Sequence, residues 1–156
     1  MLDPSWIKKL DRAEKVEKEI CDWYQFHVDP KAYRVKGYCP KWDIVCPYVG
    51  NIEVKEDRMA HQTNNYAIEI RGYNGEPSGL EATKAKQFVL VDWEYVCFML
   101  TKTLKSIVRS YKEKRLVNMG WIDDGNRQSQ GWLIPRELIL NHKDTIVTGR
   151  WFPIYD

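Results

Sequence analysis

Three residues combine types and spacing that can do chemistry together: Asp43, Glu53 and Lys55. Asp43 opens the apolar run Asp43-Ile44-Val45-Cys46, and Glu53 and Lys55 alternate with Ile52 and Val54 after the turn Pro47-Tyr48-Val49-Gly50. The two runs read as a hairpin. Strand alternation puts Glu53 and Lys55 on one face and Ile52 and Val54 on the other. A tight return then brings Asp43 and Glu53 together at one end of a sheet. Two bare carboxylates about 4 Å apart repel by about 4 kcal/mol at an effective dielectric near 20. A divalent cation turns that repulsion into a site, because Mg²⁺ accepts one or two carboxylates, keeps several waters and shares a substrate phosphate. Lys55 would aim an ammonium at that phosphate or at the attacking water. A polarising metal, an acidified water and a fixed positive charge are what phosphodiester hydrolysis requires.

These residues need elements to hold them. Asp3 followed by Pro4 reads as a helix cap and first position, and the helix is expected to run to about residue 24. Ile7, Leu10, Ala13, Ile20, Cys21 and Tyr24 recur at helical spacing as its buried face. Glu17 falls in the middle of that face and Glu14 at its edge. A charge so placed wants a partner, which a metal would supply. A strand is expected near residues 33–36, then the hairpin strands at 42–46 and 51–55. A third strand at 66–71 ends in the Asn74-Gly75 turn. Residues 81–87 read as a helix, and 88–91 and 95–100 as strands. A long helix follows from 101 to about 115, with Leu104, Val108 and Tyr111 opposite a basic stripe. A strand at 132–134, a short helix opened by Pro135 and an aromatic-rich tail complete a mixed α/β pattern.

Asp43 and Glu53-Val54-Lys55 at a hairpin end, after a helix carrying Glu17, resemble the PD-(D/E)xK nuclease superfamily. The resemblance covers roughly residues 10–100. The runs Asn64-Asn65-Tyr66-Ala67-Ile68-Glu69 and Gly75-Glu76-Pro77-Ser78-Gly79-Leu80 look like those of small phage or viral members, and the helix acid like that of Holliday-junction resolvases. It implies a restriction-endonuclease-like core, a central mixed β-sheet flanked by helices in αβββαβ order. It implies Mg²⁺ or Mn²⁺ held by Asp43 and Glu53, Lys55 as the catalytic lysine, and Glu17, or less readily Glu14, as the helix ligand. Trp42 stands where the family usually has proline, with Pro40 two residues earlier. The activity implied is metal-dependent hydrolysis of DNA, duplex or branched, with a homodimer if junctions are cut symmetrically. The alternatives are an RNA-directed nuclease, and a DNA-binding module without catalysis.

Other residues divide between chemistry and structure. Ser78, Thr83 and Lys84 could hold a phosphate at a helix start, or Ser78 could simply cap a turn. Lys102, Lys105, Arg109 and Lys112 form the basic stripe, a phosphate-tracking face or a solvated one. Glu69 could be a further site acid or pair with Arg71. Asp57 and Gln62 could touch substrate but more simply end a strand. Trp42, Trp93 and Trp121 could stack on bases, and Asn64-Asn65 and Asp124-Gly125-Asn126 read as loops that clamp substrate. His27, His61 and His142 have no partner at ligand spacing.

Composition sets the frame. The 156 residues suit one domain (1–156), and 44% hydrophobic residues suffice for a core. The net charge of +2 argues neither for nor against nucleic acid, so the distribution of charge matters more than its sum. No apolar run is long enough to span a membrane, and the charged start is unlike a signal peptide. A cytoplasmic protein is expected. Cys21, Cys39, Cys46 and Cys97 fit no zinc spacing and read as free thiols.

Overall fold

The computed structural model describes residues 4–37, 39, 41–120 and 128–156. The expected cap at Asp3, and Pro40, Trp121 and Asp124-Gly125-Asn126, lie outside the described residues.

The chain forms α1 (Pro4–His27), β1 (Tyr33–Arg34), β2 (Ile44–Val45), β3 (Ile52–Glu56), α2 (Ala60–Thr63) and β4 (Asn65–Arg71). After one 3-10 turn at Gly79–Glu81 come β5 (Gln87–Val91), β6 (Tyr95–Leu100), α3 (Thr101–Ser110), β7 (Arg115–Met119), β8 (Ser129–Pro135), α4 (Arg136–Leu140) and β9 (Ile146–Gly149). A six-stranded sheet runs β1-β2-β3-β5-β6-β9, and a three-stranded sheet runs β4-β8-β7. Only β3 and β5 pair in parallel, so the six-stranded sheet is mixed. A parallel pair needs a long crossover, and residues 57–86 provide it, carrying α2, β4 and the 3-10 turn.

The large sheet buries both faces, which explains the unbroken Phe88-Val89-Leu90-Val91 run in β5. On one face Val54, Val89, Val91 and Phe98 pack against Val16, Ile20 and Tyr24 of α1. On the other, Phe88, Leu90 and Met99 pack against Leu104 and Ile107 of α3, Ile139 of α4 and Ile68 of β4. The layers are therefore α1, the mixed sheet, and a third layer of α3, α4 and the small sheet. Asp92, fully buried between β5 and β6, ties that third layer down. It accepts hydrogen bonds from Tyr66 Oη at 2.6 Å and from the Glu94 and Tyr95 amides, with Arg136 Nε 3.7 Å away.

Several expectations are corrected. The strand at 66–71 exists as β4 but leaves the central sheet, so the sheet does not follow a plain three-strand meander. The helix expected at 81–87 is replaced by the 3-10 turn and extended chain. There Lys84 N donates to Lys41 O, and Lys86 N and Gln87 N donate to Asn51 O. These long-range bonds capture amides that a helix would have used internally. The helix from 101 stops at Ser110, where Tyr111 turns extended, and Arg115–Met119 forms β7 instead. α1 outruns the sheet at its start: Ile7, Leu10 and Ala13 are exposed, and Val16 begins the buried face. β9 pairs with β6 from a tail that carries little alternation. Among the described residues no helix is long and apolar enough to cross a membrane.

Candidate active site

The β2–β3 hairpin sets the site. Gly50 at φ +96° makes the turn, its amide donating to Cys46 O. The strands pair only at Ile44↔Ile52. The Asp43 amide donates to Ile52 O at 2.9 Å, and β2 then diverges. The Asp43 carboxylate takes over the ladder, Oδ2 accepting the Val54 amide at 2.8 Å. This one bond anchors Asp43 beside Glu53 and opens the edge of β3 from Glu53 onward.

Lys55 Nζ lies 3.0 Å from Glu53 Oε1, as strand alternation requires, with Glu53 nearly closed to solvent and Lys55 reaching out of it. Thr83 Oγ1 stands 3.3 Å from Glu53 Oε2 and 3.0 Å from Lys41 O. Glu17 reaches the same place from α1, and Arg34 Nε of β1 lies 3.6 Å from its Oε2. Arg34 also binds the Glu14 carbonyl, which leaves Glu14 on the outer, exposed side.

The electrostatics reflect this crowding. Burial, reinforced by the Asp43 carboxylate, pushes the Glu17 carboxyl up to about 7, with Arg34 and Lys55 pulling the other way. Burial likewise raises Asp43 against Lys55, the Val54 amide and Arg34. Glu53 is raised by burial and by Asp43, against the pull of Lys55. For Lys55 burial works downward, but Glu53 and Asp43, with Glu69 behind them, win and hold its ammonium firmly protonated. Three carboxyls thus share one lysine and one arginine. Their oxygens are hard donors of the kind a divalent cation accepts. Among the described residues no group of three or more His, Cys, Asp or Glu side chains is drawn tightly enough to hold a metal ion as it stands.

Glu17, Lys55 and Glu69 line a cleft of about 680 Å³ between α1 and the small sheet. Lys9, Arg12 and Arg58 bring positive charge to it, and Ile68, Phe88 and Leu133 give it an apolar floor. Glu69 accepts Ser78 Oγ at 2.7 Å. The chain approaches that strand so closely at Gly79, φ +52°, that a Cβ there would run into the Glu69 carbonyl.

The structure gathers Asp43, Glu53, Lys55 and Glu17, and adds Glu69. Of the residues expected to meet phosphate, Thr83, Lys84, Lys102 and Lys105 line one concavity, and Ser78, Arg109 and Lys112 lie outside it. Ser78 spends its hydroxyl on Glu69, and buried Thr83 spends its own on the Lys41 carbonyl and Glu53, so neither offers a free hydroxyl. Lys84, Lys102 and Arg109 are exposed and Lys105 half-buried, while Lys112 lies beyond α3. Asp57 is structural: its oxygens accept the Met59 and Ala67 amides. Trp93 stacks on His61 with ring centroids 4.3 Å apart, an arrangement that occupies one face of the indole. Arg34 was not singled out in the sequence, because a basic residue in a two-residue strand carries no periodic signal. No protein-family model matches the chain, and no curated protein sequence matches it.

Proposed function

We propose that the chain is a metal-dependent nuclease with a restriction-endonuclease-like centre, hydrolysing DNA phosphodiester bonds. The observation that carries this reading is the convergence of Asp43, Glu53 and Glu17, all with raised carboxyl pKa values, around Lys55 at the open edge of β3. Asp43, Glu53 and Glu17 would hold Mg²⁺ or Mn²⁺. When bound, the metal polarises a phosphoryl oxygen and acidifies a water.

The chain's own residues do the rest. Because Lys55 stays protonated, it acts as a fixed positive charge on the phosphate and not as a base. A cation in a partly desolvated site is worth far more to a developing phosphoryl charge than it would be in water. Thr83 and the Val54 amide keep Glu53 and Asp43 in place by hydrogen bonds that need no rearrangement during reaction. The packing of α1 on a mixed sheet is compatible with this reading, and β4, which lies outside the central sheet, contributes Asn65, Ala67, Ile68 and Glu69 to the cleft wall.

The test is cleavage of labelled single-stranded, duplex and four-way-junction DNA with Mg²⁺, Mn²⁺ or EDTA, using wild type, Glu53→Ala and Lys55→Ala. Metal-dependent cutting that both substitutions abolish is the expected result. Binding without cutting by wild type on every DNA and on RNA would replace this reading with a non-catalytic binding module.

A further inference from the structure

A second concavity, of about 390 Å³, is lined by Thr83, whose hydroxyl neighbours Glu53. Lys84, Lys86, Lys102 and Lys105 line it together with Thr83 and Thr101. Among the described residues no acidic side chain lines it, and none of the four lysines has an ion-pair partner. The sequence divides these lysines between an expected helix at 81–87 and a helical stripe; the fold brings them to one place.

Their backbone is fixed. Lys84 N is bonded to Lys41 O, and Lys86 N to Asn51 O, so the segment is clamped to the chain on both sides of Asp43 and two residues before Glu53. Thr101 locks the start of α3 onto it, Oγ1 donating to Ala85 O at 2.7 Å and N to Lys86 O at 2.9 Å. Lys86 lies over Gly50, where a Cβ would come within 3.0 Å of its Cδ. No side chain caps the ten-residue α3, so the partial positive charge of its first turn adds to that of the lysines. Four like charges around one concavity repel one another and focus a positive potential on it. An anion relieves that repulsion. The wall shared with the site is Thr83, whose hydroxyl is within 3.3 Å of Glu53.

We propose that this four-lysine pocket is a phosphodiester-binding subsite that holds the nucleic-acid backbone flanking the bond placed at Glu53. The choice of nucleic acid over free phosphate rests on the nuclease reading above. Lys86 is part of the subsite; Arg109 and Lys112, beyond the pocket, are not.

The experiment measures binding of a labelled oligonucleotide to the full chain in EDTA, across a salt series. Wild type is compared with Lys84→Ala/Lys86→Ala/Lys102→Ala and with Arg109→Ala/Lys112→Ala/Arg115→Ala, which removes as much charge from outside the pocket. Each phosphate neutralised contributes about 0.7–0.9 to the slope of log K against log salt. The pocket variant is expected to lower that slope by about 2 and affinity by at least about tenfold, with an unchanged circular dichroism spectrum and melting temperature. The control variant is expected to change the slope by less than about 1. Equal losses from both variants, no loss from either, or no binding by wild type would overturn the proposal. So would displacement of the oligonucleotide by inorganic phosphate at constant ionic strength, the mark of a free-phosphate site. Metal-dependent cleavage by Glu53→Ala, run in parallel, reports on the nuclease reading alone.

Discussion

Lys55 Nζ stands 3.0 Å from Glu53 Oε1, two residues along one strand, with the lysine side chain 45% exposed and the glutamate 6%. The pair is asymmetric: the carboxylate is trapped and the ammonium can move. A buried carboxylate needs its partner more than the partner needs it. Lys55 is therefore free to turn from Glu53 toward a phosphate, provided another cation takes its place at Glu53.

Removing the ammonium separates its two roles. Lys55→Met is expected to lower cleavage by at least about a hundredfold, the usual scale for one group that stabilises developing charge. It should also cost about 1–2 kcal/mol of stability at pH 8, discounted for the exposure of Lys55. At pH 5 the cost should shrink, because Glu53, raised by burial, can then take up a proton. Urea denaturation at the two pH values checks this; an equal cost at both would mean that Glu53 does not depend on Lys55.

Glu17 gives the chain an inverted acid response. Its carboxyl titrates at about 7 when folded against a usual 4.5, so the folded state binds the extra proton between those values. Stability then falls as pH rises through that window and levels off above it. The full shift corresponds to about 3 kcal/mol as an upper bound, and at 19% side-chain exposure little of it is screened. In EDTA, Glu17→Gln should remove most of the decline and be more stable than wild type at pH 8, while losing metal-dependent activity. Added Mg²⁺ should raise the melting temperature of wild type more at pH 8 than at pH 5.5, since ligands bind deprotonated. Melting curves with and without metal measure both effects.

Gly79 tests whether Glu69 belongs to the site. With φ at +52° and the Glu69 carbonyl against the missing Cβ, Gly79→Ala must push the two segments apart. A loss of about 1–3 kcal/mol is expected from the strained backbone. If Glu69 acts on Lys55, the same variant lowers kcat at a temperature where it remains folded. Glu69→Gln, which keeps an acceptor for Ser78, then lowers kcat with little change in stability. Unchanged kcat in both would leave Glu69 as a wall residue.

The hairpin and its three charged residues were legible because both rest on short-range rules: a glycine turn, strand alternation and carboxylates ten positions apart. Glu17 was found from helical phase, although the apolar stripe misled over the first turns. Ile7 and Leu10 fit the period, yet α1 overshoots the sheet there and leaves them exposed. What could not be read was long-range. The amides of Lys84, Lys86 and Gln87 bond to Lys41 and Asn51, more than thirty residues away, and that turns an apparent helix into the edge of a lysine pocket. Arg34 meets Glu17 only because α1 and β1 lie side by side, and β4 leaves the central sheet because β8, far along the chain, pairs with it from Asn65↔Pro135 to Arg71↔Gln130.

Asp92 separates stability from chemistry. It is wholly buried, takes the Tyr66 hydroxyl on Oδ2 at 2.6 Å and two amides on Oδ1, and faces Arg136, which is itself 8% exposed. Replacing it by alanine leaves the Tyr66 hydroxyl and the Glu94 and Tyr95 amides without their acceptor and takes the buried charge from Arg136, which keeps Glu94; breaking such a buried pair costs about 3–5 kcal/mol. Asp92→Asn keeps the shape and one acceptor oxygen, so it should lose less, about 1–3 kcal/mol. Neither substitution touches Asp43, Glu53 or Lys55. In urea the midpoints should fall in the order wild type, Asp92→Asn, Asp92→Ala, while kcat of the asparagine variant, measured well below its melting temperature, stays within about twofold of wild type, roughly 0.4 kcal/mol in barrier height. A larger fall in kcat for a fully folded Asp92→Asn chain would mean that the β5–β6 turn and the third layer help to set the site geometry across Tyr66 and β4.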